Sequence, residues 1–169
     1  TATVDFGDDY IIVSCDPITG ATENLGKLAL NIACNDLATK GAQPVCALTS
    51  ILLPPSTEES EFESLMDELV KEAKVLKIDL IGGHTEVTDA VNRIIITTTV
   101  MGRLGKDEVM EDAVSGDLIV VTKNVGIEGT SILAYEREHL LSHMMSGSEL
   151  EYARHMADDL SVVKEGMIA

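Results

Sequence analysis

The chain has 169 residues, 45% of them hydrophobic, and a formal net charge of −17. That length suits one ordinary domain, or one domain and part of a second. An acidic surface repels the phosphates of nucleic acids and anionic lipids, which makes both poor partners. A nucleotide is compatible with the charge, because carboxylates hold phosphates through bridging Mg²⁺. No apolar run is long enough to span a bilayer and no secretory signal is visible, so no membrane partner and a cytoplasmic location are expected.

With no Trp, two Phe and three Tyr, the core has to be aliphatic. Cys15, Cys34 and Cys46 are odd in number and lack the spacing of a zinc site. All three are expected to be reduced, buried packing residues.

Ala2–Phe6 and Tyr10–Cys15 read as short strands joined by the turn Gly7-Asp8-Asp9. The polar stretch Asp16–Glu23 reads as a loop, and Leu25, Leu28, Ile32 and Leu37 give Asn24–Lys40 a helical period ended by Gly41. Pro44–Leu53 reads as a buried strand stopped by Pro54-Pro55. Ser56 and Glu59 form a capping-box pattern ahead of an apolar stripe of Phe62, Leu65, Met66, Leu69, Val70, Ala73 and Leu76. Ile78–Ile81 reads as a strand running into the loop Gly82-Gly83-His84-Thr85-Glu86, and the β-branched run Asn92–Met101 as a further strand. Helices on one face of a mixed sheet, an α+β layer, satisfy this order. The polar stretch Leu104–Ser115 marks a domain boundary, dividing residues 1–108 from 109–169. Beyond it a strand is predicted at Gly116–Thr122, with helical stretches at Thr130–Met145 and Ser148–Gly166. These begin a second α/β unit without completing a sheet.

Three segments could carry chemistry. Asp16 ends an apolar strand. Asn35 and Asp36 interrupt an otherwise apolar helix, where Asp is mildly unfavourable unless it faces solvent or a ligand. Gly82 and Gly83 permit a close backbone approach, either to a phosphate or merely in a strand-end turn. His84 could be a satisfied loop histidine, a proton carrier or a ligand. Asp8-Asp9 is better explained by the hairpin turn than as a metal pair.

The run DPITGATENLGKLALNIACNDLATKGAQP, the capped helix and IGGHTEVTDAVNRIIITTTVMGR together resemble the amino-terminal domain of the AIR synthase superfamily. SGDLIVVTKNVGIEGTSILA resembles the start of that family's carboxy-terminal domain. The HypE-like hydrogenase-maturation branch is the nearest resemblance. Thiamine-monophosphate kinase and selenophosphate synthetase belong to the same superfamily. The resemblance implies a homodimer built by pairing sheets into a barrel, with Pro44–Leu53 and Asn92–Met101 as interface strands. It implies ATP and Mg²⁺ as cofactors and another hydrogenase-maturation protein as partner. By the same carry-over, Asp16 and Asp36 hold the metal, while Asp16, Asn35, Asp36, Gly82, Gly83 and Thr85 bind the nucleotide. His84 and Glu86 are the catalytic candidates. Many members have Asp at the position of His84.

The implied activity is ATP-dependent activation of a carboxamide or thiocarboxamide oxygen by phosphoryl transfer. The alternatives are a non-catalytic maturation partner with a degenerate nucleotide site, or a small-metabolite kinase or synthetase. The family's glycine-rich segment ahead of the first strand and HypE's cysteine-containing tail are expected to be absent from residues 1–169, the tail either cut away or never encoded.

Overall fold

The computed structural model describes residues 1–109 and 113–169. Its centre is a five-stranded mixed sheet in the order β1-β2-β5-β3-β4. The strands are β1 (Ala2–Asp5), β2 (Asp9–Ile18), β3 (Gln43–Leu53), β4 (Asp79–Val87) and β5 (Ile95–Gly105). β5 runs antiparallel to both β2 and β3, and β4 runs parallel to β3. The C-terminal ends of β2, β3 and β4 therefore lie along one edge.

Strand alternation selects the face that carries the core. On β5, Ile96, Thr98, Val100 and Leu104 are buried, while Ile95, Thr97, Thr99 and Met101 are only half-buried. Helix α1 (Leu25–Ala38) and helix α2 (Glu59–Leu76) cover the first of these faces. Leu25, Leu28, Ala29, Leu30, Ala33, Cys34 and Leu37 are all buried, so α1 is enclosed around much of its circumference. Each fully buried leucine contributes about 1.5–3 kcal/mol of burial free energy. α2 is more one-sided, with Leu65, Leu69 and Ala73 buried and Val70 exposed. Gly41 closes α1 as expected. Its φ of 70° lies in the left-handed region, and its N–H and that of Ala42 cap the carbonyls of Ala38 and Leu37.

Several expected boundaries move. β2 continues through Asp16 to Ile18 and does not end at Cys15. Residues 82–86 are part of β4, not a loop. β5 starts three residues after Asn92 and ends at Gly105. The helix cap is Glu58, whose N–H donates to Glu61 Oε2 at 2.8 Å, not Ser56 with Glu59. The Thr57 N–H is turned back to the Pro54 carbonyl, so residues 54–57 form a turn and the helix begins later. Cys34 is buried and its thiol is pushed up to about 12 by desolvation, but Cys15 is exposed and Cys46 only half-buried.

No strand forms at Gly116–Thr122, where Leu118, Ile119 and Val120 are exposed and without a neighbouring strand among the described residues. The expected boundary stretch Leu104–Ser115 falls partly outside the described residues. The expected helix Thr130–Met145 is broken at Arg137 into α3 (Ile127–Glu136) and α4 (Glu138–Leu141). The stretch Ser148–Gly166 holds α5 (Gly147–His155), a 3₁₀ turn (Met156–Asp159) and α6 (Val163–Gly166). Ile127 and Leu160 join the aliphatic core, and Lys27 of α1 pairs with Asp158 at 2.5 Å.

Beside that pair, His155 Nδ1 lies 2.9 Å from Asp158 and Nε2 lies 3.1 Å from Glu151. Asp158 first, then Glu151, holds the imidazolium above the ordinary histidine value of 6.5. A raised folded-state value means that this contribution to stability is fully present below about pH 6.5 and is lost as pH rises through the folded value. An NMR titration should find His155 titrating above 6.5, and Asp158→Asn should move it back down. An unshifted His155 would contradict the contact.

Candidate functional site

Because β2 runs on past Cys15, Ser14 and Asp16 share its helix-facing side. α1 presents Asp36 to the same point. The buried Ser14 hydroxyl lies 2.6 Å from Asp36 Oδ2 and 3.0 Å from Asp16 Oδ2. The shorter distance is that of a charge-assisted O–H···O⁻ bond. A hydroxyl has one proton to give, so it satisfies one carboxylate at a time. The pair thus keeps acceptor capacity directed at one place, and both of its members are half-buried.

Two carboxylates suit a hard divalent cation of the Mg²⁺ type, which takes one or two protein oxygens and completes its shell with water and substrate phosphates. Among the described residues no group of three or more His, Cys, Asp and Glu side chains could hold a metal alone. The donor set therefore fits a metal that arrives with a phosphate ligand better than a permanent all-protein site.

The other expected site residues lie elsewhere. Asn35 is committed to the chain's C-terminal segment: its Nδ2 donates to the Leu160 carbonyl at 2.9 Å and its Oδ1 accepts from the Val162 N–H at 2.7 Å. Gly82, Gly83, His84, Thr85 and Glu86 lie on β4, which is exposed along most of its length. Asp16 pairs with Thr98, Thr98 with Thr49, and Thr49 with Gly83, so a single register row joins the two groups. Three inter-strand steps of ~4.8 Å put them roughly 14 Å apart.

His84 pairs with Ser50, and Ser50 with Thr97, one register row on from Asp16, which places His84 and Glu86 on the opposite face from Asp16. His84 Nε2 and Glu86 Oε2 are 3.7 Å apart, an exposed pair too long for a hydrogen bond. One chain thus assembles the expected metal ligands but does not bring the expected catalytic pair to them.

Gly82 and Gly83 follow a β-bulge at Ala47/Leu48 that leaves Ile81 without a register partner. A Cβ on Gly83 would sit 1.9 Å from the Thr49 carbonyl oxygen. Strand pairing alone therefore requires glycine there. Gly82 has ordinary clearance, 3.5 Å from Leu48 Cδ2.

Sequence reasoning missed Ser14 and Thr98. Extending the strand by one residue would have placed Ser14 beside Asp16 by simple alternation. Thr98 is 0% exposed and its hydroxyl has no partner among the described residues. Replacing it with the isosteric valine removes an unsatisfied polar group, so Thr98→Val should stabilise the fold by about 1 kcal/mol in urea denaturation. A loss of similar size would show that the hydroxyl is satisfied.

Two adjoining clefts, of about 300 and about 230 Å³, open near the C-terminal ends of the strands. They share Thr22, Leu25, Glu61 and Ile94, and neither is lined by any of the expected site residues. Among the described residues no helix is long and apolar enough to cross a membrane.

Residues 1–104 match the family model described as AIR synthase related protein, N-terminal domain. A putative hydrogenase expression/formation protein of Methanocaldococcus jannaschii is 31% identical over 140 residues, covering 79% of this chain and 42% of that protein. The chain thus spans less than half the length of this relative. A crystal structure of thiamine-monophosphate kinase from Stenotrophomonas maltophilia aligns with a TM-score of 0.75 at 23% identity, covering 95% of this chain and 53% of that one. A structure of the hydrogenase maturation protein HypE in complex with ATP aligns with a TM-score of 0.57 at 22% identity, covering 66% and 35%. The sheet order, the helices on one face and the family match over the first 104 residues lead to one conclusion: the chain belongs to the AIR synthase related family, through its N-terminal domain.

Proposed function

We propose that the chain is the nucleotide-binding part of a HypE-like hydrogenase-maturation protein that activates a carboxamide or thiocarboxamide oxygen by phosphoryl transfer from ATP. The observation that carries this is the convergence of Asp16 and Asp36 on the Ser14 hydroxyl. In this reading residues 1–108 are the nucleotide-binding domain and 109–169 begin the second domain. A Mg²⁺ ion, when bound, neutralises phosphate charge and orients the transferred group. The chain's own part is to hold two carboxylate oxygens toward one point, so that little reorganisation is needed when the charge arrives. Gly82 and Thr85 lie on β4, an edge strand exposed along most of its length, and are the residues of that strand assigned to phosphate oxygens in this reading.

The half-buried sheet face lined by Val13, Leu48, Thr97, Thr99 and Met101 is proposed to meet a second copy, with β3 and β5 at the interface. His84 and Glu86 lie on that face. A cytoplasmic protein with another maturation protein as partner completes the reading. Isothermal titration of ATP into the intact protein, with and without Mg²⁺, tests it. Micromolar binding that requires Mg²⁺ is the expected result, and no binding under either condition would overturn it. A second reading, a maturation partner that binds without turnover, is favoured by the separation of His84 and Glu86 from the carboxylate pair. Binding without phosphate release in the presence of the partner would select it.

A further inference from the structure

We infer that Ser14 is the positioning residue that sets the spacing of the Asp16–Asp36 carboxylate pair for a nucleotide-bound divalent cation. This rests on the reading that the pair serves Mg-ATP. Among the described residues Ser14 is the one side chain within hydrogen-bond distance of both carboxylates. Asp16 is on β2 and Asp36 is on α1, so the pair is split between two elements that could otherwise shift relative to each other. The Ser14 hydroxyl ties them.

Burial gives this contact its strength. Ser14 is only 4% exposed, so water competes poorly for its proton. Its backbone is fixed as well: Ser14 pairs with Val100 in the β2–β5 ladder, and Val100 is fully buried under α1. A rotating surface hydroxyl could not fix two carboxylates, but one anchored in a central ladder can. The single proton matters too. Ser14 cannot neutralise both carboxylates, so it orders them without removing their capacity to take a cation. A lysine or arginine at this position would occupy that capacity itself. Partners of this kind, which orient ligands without touching the metal, typically change metal affinity by about 10- to 100-fold when removed.

The test uses Mn²⁺ as the probe, titrated into the intact protein with ATP present and followed by electron paramagnetic resonance. Ser14→Ala is expected to weaken Mn²⁺ binding by about tenfold or more, and Ser14→Thr, which keeps the hydroxyl, to restore it. In an Asp36→Asn background, Ser14→Ala should add little further loss, because the carboxylate pair whose spacing it sets is already broken. A merely structural role would add its cost in both backgrounds. If Ser14→Ala fails to fold, as judged by its melting transition, Ser14→Cys against Ser14→Thr replaces it. The thiol is a weak donor, so the cysteine variant should lose affinity and the threonine variant keep it. Tight Mn-ATP binding by the unmodified protein with no loss in Ser14→Ala or Ser14→Cys would overturn the role of Ser14 and leave the nucleotide site standing. No Mn-ATP binding by the unmodified protein would overturn both.

Discussion

Asp36→Asn and Asp16→Asn should each weaken Mg-ATP binding by at least about 100-fold, or roughly 2.7 kcal/mol, in isothermal titration. Each change removes a hard anionic oxygen while keeping the shape of the side chain. The Asn carbonyl oxygen can still accept the Ser14 proton, so the fold should survive, with melting unchanged within error. The loss then reads the cation and not the packing. Binding of ATP without Mg²⁺ should respond in the opposite sense or not at all, because fewer negative charges face the phosphates. A net charge of −17 makes the metal-free nucleotide an unfavourable visitor, so the metal-dependent part of the affinity should dominate. Should both variants bind Mg-ATP like the unmodified protein, the nucleotide lies elsewhere. The cleft of about 300 Å³ between Thr22 and Ser64 is then the next place to probe, by Ser64→Trp.

What the sequence made legible follows from periodicity. The stripes of α1 and α2 have the 3.6-residue repeat that burial against a sheet demands, and the order of strands and helices restricted the architecture to a few layers. The misplaced ends have specific causes. The polar stretch Asp16–Glu23, which contains Pro17, read as a loop, but β1 pairs only with Tyr10–Val13. Past Val13, β2 has β5 as its strand neighbour, and a proline that lacks an N–H is tolerated at such an edge. Gly82-Gly83 looked like a turn, yet the pair sits in a strand because the bulge at Ile81 and the close carbonyl of Thr49 leave no room for a side chain at Gly83. Ser56-x-x-Glu59 and Glu58-x-x-Glu61 carry competing cap patterns, and the Pro54 turn decided between them. The run GDLIVVT has strand composition but no partner strand among the described residues, and composition alone does not make a ladder. The separation of His84 from Asp16 was not legible, since it depends on β5 and β3 lying between β2 and β4. No local pattern encodes that order.

Gly83→Ala should destabilise the fold by about 2–4 kcal/mol in urea denaturation, whereas Gly82→Ala should cost about 1 kcal/mol. The two glycines are neighbours with similar backbone conformations, φ 154° and 148°. Their surroundings differ. The new Cβ at position 83 would meet the oxygen, carbon and nitrogen of Thr49 at 1.9, 2.8 and 2.9 Å. All three are backbone atoms of a central strand, so no rotamer change can relieve the clash. β4 has to move away from β3, and the pairs from Thr49–Gly83 to Leu53–Val87 move with it. At position 82 the nearest atom is the end of the Leu48 side chain at 3.5 Å, so the cost there is only that of holding an alanine at a φ of 148°, with no clash added. The contrast also separates two uses of glycine. If Gly82 is kept small for a phosphate, Gly82→Ala will lose Mg-ATP affinity while remaining folded. If both glycines serve only the sheet, Gly82→Ala will bind normally, and the nucleotide contact on β4 must be sought at Thr85. Equal destabilisation by the two variants would mean that the close approach of Thr49 to Gly83 is not what holds this edge of the sheet.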